Sequence, residues 1–218
     1  MPFDPKIPFV PSPNFSERHW DRWQEVGGVV VHYTAGGSAN GSIRWLCNPH
    51  ARASAHFVIS RSGRVTQLVE LSMKAWHAGV AEMPVEGEAT SDPSRFTIGI
   101  ELANHGLLQQ RKGEFFYEVG RQLKPYQHRQ PRFSQLVYDS GLTVGGYWEP
   151  YPDAQLDALQ ELLLKLAGNG YRQAASNLIG HEEISMPLGR KRDPGPLFPW
   201  ERFSRKLERR TQAASVAI

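Results

Sequence analysis

Apolar residues in the first half of the chain cluster into short runs that predict a buried β-sheet. Residues 29–33 form a continuous apolar run after two glycines, which is typical of a strand buried on both faces. Residues 56–60 and 64–69 are β-rich runs, and the Ser62-Gly63 pair between them predicts a hairpin. Residues 97–102 predict a further strand of the same sheet.

The second half of the chain shows a helical period. Pro152 begins a predicted helix that extends to about residue 167, because leucines recur every three or four residues and Gly168-Asn-Gly170 follows them. The stripe consists of Leu156, Leu159, Leu163 and Leu166. A short helix is predicted at 42–47, and a short strand at 177–180. Strands interspersed with helices predict an α/β or mixed α+β class, with a central mixed β-sheet flanked by helices.

Other segments fit this pattern less well. Residues 1–26 are rich in proline and are interpreted as an irregular arm that lies on a domain spanning 27–208. Residues 103–150 are rich in aromatic residues, arginine and glutamine, and are interpreted as an insertion with a strand around 115–119. Residues 209–218 form a polar tail. A terminal helix before that tail is predicted from residues on one face: Trp200, Phe203 and Leu207.

Composition narrows the classes of protein to which the chain can belong. The 218 residues are 40% hydrophobic and 22% charged, which is enough to bury a core, and Cys47 as the only cysteine permits no internal disulfide. A net charge of +3 without a dense block of Lys and Arg argues against nucleic-acid binding. We expect no membrane span and, because the first residues lack an apolar signal-peptide segment, a cytoplasmic location.

Two histidines and an aspartate have the chemistry of a metal site. His32 lies near the end of the first buried run, whereas His181 and Asp193 lie far along the chain among turn-forming residues. Two imidazoles and a carboxylate are a ligand set of catalytic zinc, with a fourth position left for water. In an extended segment Lys191 would share a face with Asp193. The spacing alone is equally compatible with a solvated loop and two unrelated core histidines.

Other residues are weaker candidates for chemistry. Glu101 near the end of a predicted strand could accept a proton from an attacking water, although such a charge is also common at a strand edge. Glu182 and Glu183 could contact His181 but are better explained as charges at a helix start. The Trp76-His77 pair could form a platform for a sugar or peptide, although a tryptophan is more often part of the core.

Five motifs in order resemble those of a known family. They are Val-Val-Val-His32-Tyr-Thr, Ser54-Ala-His-Phe-Val-Ile-Ser-Arg-Ser-Gly63, Ala75-Trp-His-Ala-Gly79, Ile98-Gly-Ile-Glu101, and Gly180-His-Glu-Glu-Ile with Gly189-Arg-Lys-Arg-Asp-Pro-Gly195. The chain resembles the zinc-dependent N-acetylmuramoyl-L-alanine amidases of the type-2 amidase and peptidoglycan-recognition-protein superfamily. Within it, the chain is most similar to the branch that recycles anhydro-muropeptides.

The resemblance implies a fold, a cofactor and an activity. Zinc (Zn²⁺) would lie in a groove on one face of a mixed sheet, and the substrate would be peptidoglycan or a muropeptide. The reaction would be hydrolysis of the amide between N-acetylmuramic acid, or its 1,6-anhydro form, and L-alanine. The implied site residues are the metal ligands His32, His181 and Asp193, the catalytic residues Glu101 and Lys191, and the substrate-binding residues Trp76 and His77.

The chain departs from the family in two places. Where the phage-lysozyme branch has a catalytic tyrosine, this sequence has Ala55, which argues against a tyrosine-assisted mechanism. Residues 103–150 also exceed the minimal family domain.

Several alternatives stay open at this stage. A non-catalytic peptidoglycan-binding module would share the fold, although such modules typically lack a zinc ligand. A zinc endopeptidase would cut within the stem peptide. An endolysin would act on the cell wall, whereas a recycling amidase would act on soluble anhydro-muropeptides in the cytoplasm.

Overall fold

The computed structural model describes residues 3–18, 26–85 and 87–203. The helices within these ranges are α1 (Ala39–Leu46), α2 (Asp153–Gly168), α3 (Arg172–Ser176) and α4 (His181–Ile184). The strands are β1 (Phe15–Glu17), β2 (Gly28–Tyr33), β3 (Phe57–Ile59), β4 (Val65–Gln67), β5 (Met73–Ala75), β6 (Met83–Val85), β7 (Glu88–Thr90), β8 (Thr97–Leu102), β9 (Leu107–Arg111), β10 (Glu114–Val119), β11 (Gln122–Pro125), β12 (Arg132–Val137), β13 (Thr143–Trp148) and β14 (Leu178–Gly180). The predicted mixed α/β class is confirmed.

The central sheet is the part of the fold that the apolar runs predicted. In the described residues its strand order is β14-β2-β8-β3-β4. The first four strands run parallel, and β4 pairs antiparallel with β3 through the predicted hairpin. The predicted strands at 29–33, 97–102 and 177–180 are confirmed as β2, β8 and β14. Because parallel strands end at the same edge, the ends of β2, β8 and β14 lie together.

The two faces of the central sheet have different roles. Side chains alternate along a strand, so Val29 and Val31 of β2 pack in the main core, whereas Val30 and His32 lie on the opposite face. The main core is closed by α2, whose buried residues include the predicted leucine stripe. The opposite face is therefore available for polar chemistry at the strand ends.

The helix predictions differ in accuracy. The predicted helix from Pro152 is confirmed, with Pro152 as the N-terminal cap residue of α2. The helix predicted at 42–47 begins earlier, at Ala39, because the Ser38 side chain accepts a hydrogen bond from the Gly41 amide and caps it. No helix in the described part of the chain is long and apolar enough to cross a membrane.

A second sheet is formed by most of residues 103–150. Its strand order is β11-β10-β9-β13-β12 among the described residues, and every neighbouring pair is antiparallel. The strand predicted around 115–119 is confirmed as β10. We call β9 to β13 the second sheet.

At the N-terminal end the prediction of an irregular arm is wrong, and at the C-terminal end the predicted tail lies outside the described residues. The arm was expected to be irregular, but Phe15–Glu17 pairs with Met73–Ala75 as β1 and β5. Within the described part of the arm, the Asn14 side chain donates hydrogen bonds to the backbone carbonyls of Leu46 and Ala53 and ties this segment to the domain. Residues 200–203 are helical, while Leu207 and the predicted tail at 209–218 lie outside the described residues.

Candidate active site

Two strand ends and a loop bring His32, His181 and Asp193 together. Residue Gly180 of β14 is the register partner of Val31 of β2, so the next residues, His181 and His32, are neighbours. The backbone amide of Glu182 donates to the Asp193 carbonyl (2.9 Å), which fixes the aspartate beside both histidines. All three candidate ligands are buried. The structure therefore assembles the predicted ligand set from distant parts of the sequence.

The facing atoms of these residues have the spacing of a metal site. The His32 Nδ1 and His181 Nδ1 atoms lie 3.0 Å apart, and the Asp193 Oδ2 atom lies 2.9 Å from each. The other nitrogen of His181, Nε2, donates to the Ala78 carbonyl (2.9 Å), which leaves Nδ1 as the atom that can present a lone pair to a metal. Electron-rich atoms facing one another across so short a gap fit a shared cation, and the residues match the ligand chemistry of zinc.

The surroundings of His32 and Asp193 favour a neutral imidazole and an ionised carboxylate. Burial and the neighbouring His181 lower the pKa of His32 to about 4, so its imidazole is neutral near pH 7. Burial opposes ionisation of Asp193, but its contacts with His181 and His32 outweigh burial and hold its pKa below the ordinary range. A neutral imidazole and a carboxylate are the forms that bind a metal.

Glu101 lies beside the candidate ligands on the neighbouring strand. It is the register partner of His32 across the β2–β8 pair, so the two side chains share a face of the sheet. The Glu101 Oε2 atom is buried and has no hydrogen-bond partner within the described residues. Burial and the charge of Asp193 raise the pKa of Glu101 to about 8, although the Lys191 ammonium opposes this rise. The carboxyl group is thus able to gain or lose a proton near neutral pH.

Lys191 lines the same groove and is held there by the second sheet. It is half-buried, and its backbone carbonyl accepts a hydrogen bond from the Tyr138 hydroxyl (2.7 Å). The Tyr151 hydroxyl donates to the Pro194 carbonyl (2.8 Å) in the same loop. At Gly195 a Cβ atom would lie 3.0 Å from the Trp148 ring. Aromatic residues of and beside the second sheet therefore position the loop that carries Lys191.

Trp76 and His77 occupy different environments. Trp76 is 36% exposed at the groove, and its ring nitrogen donates to the Ser16 hydroxyl (3.2 Å). His77 is buried at the base of the groove, and both of its ring nitrogens already take part in hydrogen bonds. The exposed indole can contact a ligand directly, whereas the His77 ring contacts His32.

The groove also contains residues that the sequence analysis missed. It has a volume of about 990 Å³, and its walls include Trp45, Tyr117 and Lys124. Trp45 is 58% exposed on α1, and a large aromatic residue on the solvent side of a short helix was an available signal. Tyr117 and Lys124 belong to the second sheet, where the sequence pattern was weak. Glu182 and Glu183 lie in the first turn of α4, as expected for helix-start charges.

The chain is similar to known amidases. A family model described as N-acetylmuramoyl-L-alanine amidase matches residues 22–196. The 1,6-anhydro-N-acetylmuramyl-L-alanine amidase AmpD of Haemophilus influenzae is 26% identical over 211 residues, which cover 89% of this chain and 88% of that protein. The protein of the same name from Escherichia coli K12 is 30% identical over 154 residues, which cover 71% of this chain but 58% of that protein.

A solved structure shows the same fold. The crystal structure of a selenomethionine derivative of AmpD aligns with a TM-score of 0.58 at 28% sequence identity. The alignment covers 93% of this chain and 94% of that chain. The likeness therefore extends over both sheets and is not confined to the candidate site.

Proposed function

Because the chain belongs to the N-acetylmuramoyl-L-alanine amidase family, we propose that it hydrolyses the amide between N-acetylmuramic acid and L-alanine. The similarity to enzymes named 1,6-anhydro-N-acetylmuramyl-L-alanine amidases favours the 1,6-anhydro form as the substrate. The observation that carries the proposal is the close approach of His32, His181 and Asp193 beside the unpaired carboxyl oxygen of Glu101.

In this proposal His32, His181 and Asp193 hold zinc. Both imidazoles would bind through Nδ1, and the carboxylate would bind through Oδ2, because these are the atoms that face one another. Bound zinc would supply Lewis-acid chemistry, polarising the substrate carbonyl and making water more acidic. The family is generally zinc-dependent, and the ligand types present here fit that ion.

Glu101 is proposed to move the proton during the reaction. Its Oε2 atom would take a proton from the attacking water and return it to the nitrogen of the departing L-alanine. The raised pKa suits both steps, since a group with a pKa of about 8 exchanges protons readily near neutral pH. Its free oxygen is available for this exchange because no described residue occupies it.

Lys191 and Trp76 are proposed to act on the substrate. The Lys191 ammonium would stabilise the negative charge that develops on the carbonyl oxygen, a kind of contribution that is often the largest in hydrolysis. The exposed Trp76 ring would provide an apolar surface for the sugar or the first peptide residues. A cytoplasmic location stays a prediction.

The test is to incubate the purified protein separately with soluble anhydro-muropeptides and with intact sacculi, and to identify the products by mass spectrometry. We expect intact stem peptides to be released from anhydro-muropeptides by protein that contains one zinc per chain. Metal-stripped protein, assayed before and after zinc is restored, is the control. Cleavage within the stem peptide would indicate an endopeptidase, and binding without cleavage would indicate a non-catalytic module.

A further inference from the structure

A chain of buried hydrogen bonds connects the start of β8 to the candidate metal site. We propose that Thr97 and His77 are positioning residues that fix the ring orientation and tautomer of His32, so that its Nδ1 lone pair faces the metal. This inference rests on the proposed function, since it assumes that His32 binds zinc. It assigns His77 a role through His32 in place of the contact with substrate that the family resemblance implied.

Thr97 determines which atom donates in each hydrogen bond of this series. Its hydroxyl has a single proton, and this proton is donated to the Pro93 carbonyl (2.8 Å), which can only accept. The Thr97 oxygen also lies 3.2 Å from His77 Nε2. Because the hydroxyl proton is already used in that bond, the Thr97 oxygen can only accept from His77. His77 Nε2 must therefore be protonated and donate a hydrogen bond to Thr97.

The protonation of His77 in turn fixes the protonation of His32. The His77 ring is buried, and its hydrogen-bond partners are a threonine and a histidine, so the ring is neutral and has one proton. That proton lies on Nε2, which leaves His77 Nδ1 as an acceptor. The His32 Nε2 atom is 3.1 Å away and must donate to it. With its proton on Nε2, a His32 ring that binds zinc presents the lone pair of Nδ1, the atom that faces His181 and Asp193.

The fold makes specific room for the His77 ring. Gly99 lies two residues after Thr97 on β8, on the same face of the sheet. A Cβ atom at Gly99 would lie 2.5 Å from Cγ of His77, so a larger residue would displace the ring. The backbone amide of Gly99 donates to His56 Nδ1 (3.0 Å), and the His56 ring packs edge-on against His77. The ring is thus confined by the strand and by a second histidine.

The two candidate histidine ligands are supported from one short segment. His32 Nε2 contacts the side chain of His77 (3.1 Å), whereas His181 Nε2 contacts the backbone carbonyl of the next residue, Ala78 (2.9 Å). Partners of this kind orient metal-binding histidines, and losing one typically weakens metal binding by about 10- to 100-fold. A backbone carbonyl can only accept, but a histidine can accept or donate. Only the His32 side therefore needs a further residue, Thr97, to set the direction.

The first test is the zinc affinity of Thr97→Val, with Thr97→Ser as the matched control. Valine has the shape of threonine but cannot accept the hydrogen bond that His77 donates, whereas serine retains the hydroxyl. We expect the zinc dissociation constant, measured by competition with a chromophoric chelator, to rise about 10- to 100-fold in Thr97→Val. It should stay within a few-fold of wild type in Thr97→Ser. Wild-type affinity in Thr97→Val would overturn the proposal.

Two further readouts separate positioning from a general structural role. The visible absorption of the Co²⁺-substituted protein reports ligand geometry and should change in Thr97→Val but not in Thr97→Ser. Thermal unfolding of the metal-free proteins reports the fold alone. If Thr97→Val lowers only the unfolding temperature and leaves the Co²⁺ spectrum and zinc affinity unchanged, the positioning role is wrong.

A second pair of variants tests His77 directly. In His77→Asn the amide oxygen can replace Nδ1 as the acceptor for His32, whereas His77→Leu has a similar size and no acceptor. We expect His77→Asn to bind zinc more tightly than His77→Leu, and equal affinities would overturn the proposal. If wild-type protein bound no zinc, the proposed function itself would fail, so the two failures are distinguishable.

Discussion

The central sheet and the second sheet contribute to the same groove in different ways. Nearly every residue of β2 is buried, whereas β12 is exposed along most of its length. The central sheet supplies His32 and Glu101 from register-paired positions within strands. The second sheet holds the loop with Lys191 through the Tyr138 hydroxyl. The buried sheet thus supplies two side chains of the candidate site directly, while the exposed sheet holds the loop that carries Lys191 and adds Tyr117 to the groove wall.

The largest expected effect is the loss of a ligand beside the central sheet. His181→Ala removes one of the atoms that face the proposed ion, and the Ala78 carbonyl loses its donor. We expect stoichiometric zinc binding to disappear and hydrolysis of anhydro-muropeptides to fall to background. Metal content after dialysis and product release are the measurements. Full zinc occupancy in a folded His181→Ala protein would break the ligand assignment.

Lys191→Ala removes the charge that the second sheet helps to position. We expect a loss of turnover on the order of a hundred- to a thousand-fold, as is typical when one group that stabilises an oxyanion is removed. Zinc content should remain that of wild type, because Lys191 is not among the proposed ligands. Normal turnover in zinc-loaded Lys191→Ala would exclude this residue from the mechanism.

The same substitution in both sheets compares their contributions to stability. Val31 is fully buried in β2, whereas Val137 in β12 is 64% exposed. Val31→Thr places a hydroxyl in an apolar core and should lower the free energy of unfolding by about 1–3 kcal/mol. Val137→Thr should change it by less than about 0.5 kcal/mol. Urea denaturation of both variants measures the difference, and equal losses would show that the two sheets share one core environment.

This contrast explains how much of the fold the sequence could predict. The strand at 97–102 was predicted at its observed bounds, and the helix from Pro152 nearly so, because burial on one or both faces leaves a clear apolar pattern. Strands β9 to β13 are mostly exposed or only partly buried on both faces, so apolar and polar residues do not alternate clearly along them. Its pairing of β9 with β13 depends on contacts between distant residues that a local pattern does not record.

The sequence predicted part of the candidate site and missed the rest. The ligand types and the carboxylate of Glu101 followed from the motifs, and the structure brings them together. Thr97 was missed because a threonine at the start of a strand is ordinary for a β-branched residue. Trp45 and Tyr117 were missed because they reach the groove from elements whose arrangement only the folded chain reveals.

The smallest expected effect tests whether the second sheet acts through the Lys191 loop. Tyr138→Phe removes the hydroxyl that donates to the Lys191 carbonyl (2.7 Å) but keeps the buried ring. A single hydrogen bond contributes about 0.5–1.5 kcal/mol, so we expect turnover to fall about two- to tenfold with unchanged zinc affinity. Tyr147→Phe on β13, where the ring packs against Phe133, is the matched control. If both variants were equally active, the second sheet would not position Lys191 through this contact.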